Sequence, residues 1–149
     1  MIRAIILLTL LAAPAHADPD RLSILLSSRH VAATVPFKQA NPGLFLTWEN
    51  RAAGLDYSLG AYRNSYGRLS VAAIAALPIW KRDQTQISLF AGVAHYPVDG
   101  RDYAVHAGDF VPLAGVQFRH RNIFAQVMPG DGNFTSGIIS FGLTFKLGH

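Results

Sequence analysis

The sequence predicts an all-β protein, an eight-stranded antiparallel transmembrane β-barrel of the outer-membrane type. Two observations carry this expectation. Eight short apolar runs follow one another along the chain, each bounded by Gly, Pro, Asn or Asp. Several of them alternate with a period of two residues, and none reads as a helix.

In chain order, Met1-Ile2-Arg3 is a short positive start, Ala4–Ala13 is apolar, and Ala15-His16-Ala17 is a small-x-small cleavage site. Residues 1–17 therefore read as a cleaved signal peptide, and residues 18–149 as a single barrel domain. The apolar stretch is too short for a membrane-spanning helix, which takes about 20 residues. The strands are expected at Leu22–Ala33, Leu44–Asn50, Leu55–Arg63, Arg68–Leu77, Gln86–Tyr96, Phe110–Phe118, Ile123–Met128 and Ile138–Leu147. In the last, Ile139, Phe141, Leu143, Phe145 and Leu147 share one face, and Ser140, Gly142, Thr144 and Lys146 the other. Leu69, Val71, Ala73, Ala75 and Leu77 oppose Arg68, Ser70, Ala72 and Ile74 in the same way, and Tyr57, Leu59 and Ala61 oppose Asp56, Ser58, Gly60 and Tyr62.

Alternation alone also suits a soluble sandwich. A barrel in lipid differs in being aliphatic outside and small or polar inside, with aromatics near strand ends. Trp48, Tyr57, Tyr62, Tyr66, Trp80, Tyr96 and Phe110 fall near run ends, which favours the membrane barrel. Closure also removes the edges through which exposed apolar strands aggregate.

Composition narrows the function. Cysteine is absent, so no disulfide framework or thiolate metal site exists. The net charge of +4 is spread as Arg51, Lys81-Arg82 and Arg119-His120-Arg121 between apolar runs, a pattern of solvated turns that excludes a nucleic-acid stripe. His95, His106 and His120 lack ligand spacing, so no metal is expected. Gly130-Asp131-Gly132 lacks the strand-to-helix setting of a phosphate loop and reads as a hairpin tip.

With the N-terminus in the periplasm, the outer connections are Pro36–Gly43, Asn64–Gly67, Pro97–Asp109 and Pro129–Gly137, and the inner ones Arg51–Gly54, Pro78–Thr85 and Arg119–Asn122. This places His30, late in strand 1, and Asn64-Ser65, leaving strand 3, at one outer rim. A Ser hydroxyl becomes a nucleophile when a base takes its proton, and His titrates nearest neutrality. Asn-Ser-Tyr-Gly is equally a composition that forms turns. Pro112 and Pro129, which cannot donate to a ladder, would interrupt pairing between strands 6 and 7 and leave a side opening. The small inward residues Ser58, Gly60, Ser70 and Ala72 would leave an acyl-sized groove, or fill the taper that any eight-stranded barrel has.

Several segments resemble one family. Tyr62-Arg63-Asn64-Ser65-Tyr66, His30, Asn41-Pro42-Gly43, Val111-Pro112-Leu113-Ala114-Gly115-Val116 and Phe124-Ala125-Gln126-Val127-Met128-Pro129-Gly130 are similar to motifs of the lipid A palmitoyltransferases of the PagP type. The resemblance implies an outer-membrane enzyme that moves a palmitoyl-like chain from a phospholipid to lipid A, without a cofactor and as a monomer. It assigns the chemistry to Ser65 and His30, oriented by Asn64, and lipid access to Pro112 and Pro129, with Gly60 and Ser70 lining the acyl groove. Ser65 would attack the phospholipid ester, or the pair would activate the lipid A hydroxyl directly. The family's Asp stands as Asn64 here, and its amphipathic helix before the barrel has no room ahead of strand 1. A non-enzymatic barrel that stabilises the envelope or binds a partner through the Pro97–Asp109 loop is the alternative.

Overall fold

The computed structural model describes residues 18–148, and the signal peptide expected over residues 1–17 lies outside the described residues. The strands are β1 (Arg21–Val31), β2 (Ala40–Trp48), β3 (Asp56–Arg63), β4 (Leu69–Arg82), β5 (Thr85–His95), β6 (Phe110–His120), β7 (Ile123–Pro129) and β8 (Gly137–Lys146). Each pairs antiparallel with the next, and β8 closes on β1, giving an eight-stranded all-β barrel. One end carries the connections 49–55, 83–84 and 121–122; the other carries 32–39, 64–68, 96–109 and 130–136, three of which are as long as or longer than any at the first end.

The alternation read from β3, β4 and β8 holds. Ser70, Ala72, Ser140 and Thr144 are buried inside, while Leu69, Val71, Ile139 and Phe141 are exposed outside. Every strand contributes at least one exposed large apolar side chain to the exterior, from Leu26 on β1 to Phe145 on β8. The barrel is thus apolar outside, while its interior mixes small and polar residues with inward aromatic and aliphatic ones.

Most strand ends shift by one or two residues from expectation, and three differences change a residue's setting. The loop expected over Pro78–Thr85 is strand, because β4 absorbs Pro78 through a register jump between Pro78 and Trp80. A bulge suits a residue that has no N–H for the ladder. The hairpin then turns through Asp83 and Gln84, with Asp83 at φ 51°. β2 begins at Ala40, so Pro42 and Gly43 lie within a strand. Arg119 belongs to β6 rather than to a solvated turn, and it points into the barrel.

Aromatics expected as an outer girdle divide in two. Trp80 and Phe110 face outward and are exposed. Tyr62 and Tyr96 instead turn inward and join Tyr103 in a chain of edge-to-face rings at centroid separations of 6.2 and 5.1 Å. They fill the long-loop end, where polar or small residues alone would leave a void.

Lower in the barrel, glycines face large side chains across strand pairs: Phe45 opposite Gly60, Ile74 opposite Gly92, Phe90 opposite Gly115 and Phe124 opposite Gly142. A side chain added at any of these glycines would collide with its partner. Each large residue occupies the space its glycine vacates.

At the short-turn end, charges fill the lumen. Glu49 Oε1 accepts from Arg21 Nε at 3.1 Å and from Arg119 Nη2 at 2.6 Å. Arg119 Nη2 also donates to Gln86 Oε1 at 2.8 Å, and Gln86 Nε2 donates to Asp56 Oδ2 and Ser88 Oγ, each at 2.9 Å. Arg21 Nη1 reaches Thr144 Oγ1 at 3.3 Å. Burial by itself would raise the Glu49 carboxyl, but Arg119 and Arg21 outweigh it and hold the group below its usual range.

Candidate functional site

The long-loop end gathers the residues that the sequence singled out. β1 carries a register jump between Leu25 and Ser27. After it, Ser28 and His30 point inward while Arg29 and Val31 are exposed. The His30 ring lies flat on Phe37, at a centroid separation of 4.1 Å and 17° between planes, and Phe37 meets Tyr66 edge-on at 5.7 Å. Among the described residues His30 Nδ1, which is buried, has no hydrogen-bond partner.

Asn41 explains how Pro42 fits within β2. Opposite the β1 bulge, the ladder skips Asn41 and Pro42. The Asn41 side chain replaces the missing rungs: its Oδ1 accepts from Ser28 N–H at 3.1 Å and Ser28 Oγ at 2.5 Å, and its Nδ2 donates to the Arg63 carbonyl at 3.1 Å. One amide thereby ties three strands at the base of the rim.

Asn64 is fully buried, and its bonds are local. Its Oδ1 accepts from the N–H groups of Tyr66 and Arg68 at 3.0 and 2.9 Å, and its Nδ2 donates to Ser70 Oγ at 3.0 Å. These bonds close the 64–68 turn, and none of them reaches His30. Ser65 follows, nearly buried, with its carbonyl accepting from Lys38 N–H at 2.8 Å. The 32–39 connection therefore touches both halves of the expected pair, through Phe37 on His30 and Lys38 on Ser65. No hydrogen bond joins Ser65 to His30 among the described residues.

The carboxylate near His30 comes from a loop that sequence reasoning set aside. Asp131 is buried in the β7–β8 connection, where its Oδ1 accepts from the N–H groups of Asn133, Phe134 and Thr135 at 2.9, 2.6 and 3.0 Å. Its charge partly offsets the larger effect of burial on the His30 ring. Thr34 N–H to the Phe134 carbonyl, at 2.8 Å, and Thr135 Oγ1 to the Val31 carbonyl, at 2.7 Å, bind this loop to the end of β1. The Asp131 position depends on that closure, which spans the whole chain.

Asp99 is buried in the third long loop and pairs with Arg68 through one oxygen, leaving Oδ2 without a partner. Burial, together with Asp102, Asp131 and Asp99, pushes the Tyr66 phenol up to about 12, so it is a neutral O–H at physiological pH. Its hydroxyl is also buried and unpartnered.

Below the rim runs an interior cavity of about 90 Å³, with Ser65, Ser28, Ile138 and Met128 towards the long loops and Thr144 and Arg119 at the other end. That volume holds several waters. Gly60 and Ser70 add no acyl-sized space to it: the Phe45 ring covers Gly60, and Ser70 is buried against Asn64. Pro112 and Pro129 stand where β6 and β7 stop pairing, since that ladder covers only Val116–His120 against Ile123–Val127. Six residues of β6, Phe110 to Gly115, have no β7 partner. Among the described residues no cluster of His, Asp and Glu is arranged to hold a metal.

Comparison of the chain with protein-family models and with curated proteins gives no match.

Proposed function

We propose that this barrel lies in the outer membrane and transfers an acyl chain from a phospholipid to lipid A at its long-loop rim. The observation that carries this reading is a rim where a buried imidazole nitrogen, His30 Nδ1, has no internal partner and Ser65 lines the cavity wall beneath. Buried polar atoms are nearly always satisfied within a protein, so an orphan of this kind marks a place for a ligand or a reacting group. The apolar exterior on all eight strands supports the bilayer setting. The unpaired stretch between Pro112 and Pro129 supports lateral access for a lipid.

In the transfer, His30 takes the proton of the attacking hydroxyl, which belongs either to Ser65 or directly to lipid A. The attacking oxygen forms a bond to the phospholipid ester carbonyl, and the bond from that carbonyl to the glycerol oxygen breaks. The lysophospholipid leaves with the proton from His30. If Ser65 attacks first, the lipid A hydroxyl repeats the exchange and regenerates Ser65. Asp131 balances the charge on His30 during the transfer, a role an uncharged Asn64 cannot fill. In this reading Asn64 positions Ser65 by holding the turn closed.

Mass spectrometry of lipid A from a Gram-negative host lacking its own palmitoyltransferase tests the proposal. An added acyl chain is expected with the wild-type chain and absent with Ser65→Ala. A folded, membrane-inserted wild type that adds no mass would overturn it. The commitment of Asn64 to the turn favours a second reading, a non-enzymatic envelope barrel, which that outcome would support.

A further inference from the structure

A second hollow, an open depression of about 640 Å³, lies on the outside of the wall. Strand register explains its shape. One outward row runs Leu44, Ala61, Val71, His95 and Phe110 across β2 to β6, and the row below it runs Leu46, Leu59, Ala73 and Val93. Ala61 and Ala73 form a low floor between taller neighbours. His95, packed against Phe110 at a ring separation of 4.9 Å, is the one polar side chain lining the groove.

The end of the groove nearest the long loops is cationic. Arg63 stands two residues beyond Ala61 on the same face of β3. Arg63 Nη2 and Lys38 Cε lie 3.6 and 3.9 Å from the position that a Gly67 side chain would take. Among the described residues neither cation has a carboxylate within ion-pair distance. Arg63 only donates from Nε to the Gly67 carbonyl at 3.2 Å.

We infer that this groove holds one membrane lipid, its acyl chain over Ala61 and Ala73 and its headgroup phosphate between Arg63 and Lys38. His95 donates to or accepts from the ester region between them. The polarity is that of an amphiphile: apolar along the wall, one polar group near the top and two unpaired cations beyond it. A peptide would bring unsatisfied backbone groups into hydrocarbon, whereas an acyl chain brings none. The inference rests on the bilayer setting proposed above, and the lipid would lie beside the turn that carries Ser65.

The full chain is reconstituted in nanodiscs of phosphatidylcholine with phosphatidylglycerol, extracted into mild detergent and weighed by native mass spectrometry. One phosphatidylglycerol is expected to remain on the wild type and on Ser65→Ala, and retention is expected to fall about tenfold in Ala61→Phe/Ala73→Phe. Ala125→Phe, an outward substitution on β7, should retain the lipid. Arg63→Gln/Lys38→Gln keeps the groove and should lose the preference for phosphatidylglycerol over phosphatidylcholine. Equal retention in wild type and the groove-filled variant overturns the site. A lipid retained without headgroup preference, or a second copy of the chain in its place, overturns the assignment of its occupant. A chain recovered soluble without detergent overturns the membrane reading itself, and a folded wild type that retains the lipid but adds no acyl chain to lipid A overturns only the enzymatic one.

Discussion

At the short-turn end of the barrel, Glu49 is held between Arg21 and Arg119, and Gln86, Asp56 and Thr144 take up their remaining bonds. At the long-loop end, His30 Nδ1, Tyr66 Oη and Asp99 Oδ2 are as well buried and have no hydrogen-bond partner among the described residues. Both ends enclose titratable groups, but at the short-turn end the lumenal charges are bonded to one another and, among the described residues, only Arg51 Nε in the 49–55 connection lacks a partner. A bonded network of this kind locks a structure, whereas unbonded groups destabilise it by about 1–3 kcal/mol each and persist where something other than stability is served. The same chain thus devotes one mouth of the barrel to closure and leaves the other chemically available.

Substitutions that separate the two ends sharpen this contrast. The largest effect is expected at the open end: His30→Ala or Ser65→Ala should lower lipid A acylation by about 10²–10⁴-fold while leaving urea unfolding in vesicles almost unchanged. A matching loss of stability would show that these residues belong to the structural set. At the closed end the balance reverses. Glu49→Ala leaves Arg21 and Arg119 facing one another without a counter-charge and should destabilise by about 3–5 kcal/mol, with acylation per folded molecule unaffected.

Asn64 tests where the boundary falls. Asn64→Asp retains the acceptor for Tyr66 and Arg68 but loses the donor to Ser70 and buries a charge, so a destabilisation of about 1–3 kcal/mol is expected, without a gain in turnover. A faster enzyme would instead return the orienting role to this position.

Acid should act on the closed end. The Glu49 carboxyl is depressed in the folded barrel, so the stability it confers is complete above the unfolded-state value, near pH 4.3, and is lost as pH falls through the lower folded value. Urea midpoints measured from about pH 7 to 3 should show that loss in wild type and a shallower slope in Glu49→Gln. The smallest effect is at Val98, a β-branched residue at φ 72° in the third long loop. Val98→Gly should raise stability slightly, by under about 1 kcal/mol and read as a higher thermal midpoint, because relief of strain is partly offset by glycine's entropy.

What could be read from sequence follows the range of the forces involved. The inward and outward faces of β3, β4 and β8 come from a two-residue period and are local. The bulges after Leu25 and at Pro78 are not, since each depends on a neighbouring strand absorbing the slip. Arg119 looks like a turn residue beside His120 and Arg121 until β6 is extended. Its partner Glu49 is 70 positions away, so no window along the chain holds both. At the rim, strand order alone brings His30 and Ser65 to the same end. Asp131 escaped notice because its Gly-Asp-Gly setting signals a hairpin tip, and its proximity to His30 arises only when β8 closes on β1.

The facing pairs of Phe45 with Gly60, Phe90 with Gly115 and Phe124 with Gly142 carry a consequence for how such a barrel tolerates change. Each pair fixes a sum of volumes rather than either residue, so its members should mutate as a unit. Gly60→Ala alone overfills the lumen and Phe45→Ala alone empties it, while Phe45→Ala with Gly60→Ala should partly restore the fit. The bore of the barrel is in that sense inherited pair by pair, and a double-mutant cycle across β2 and β3 would read its coupling directly.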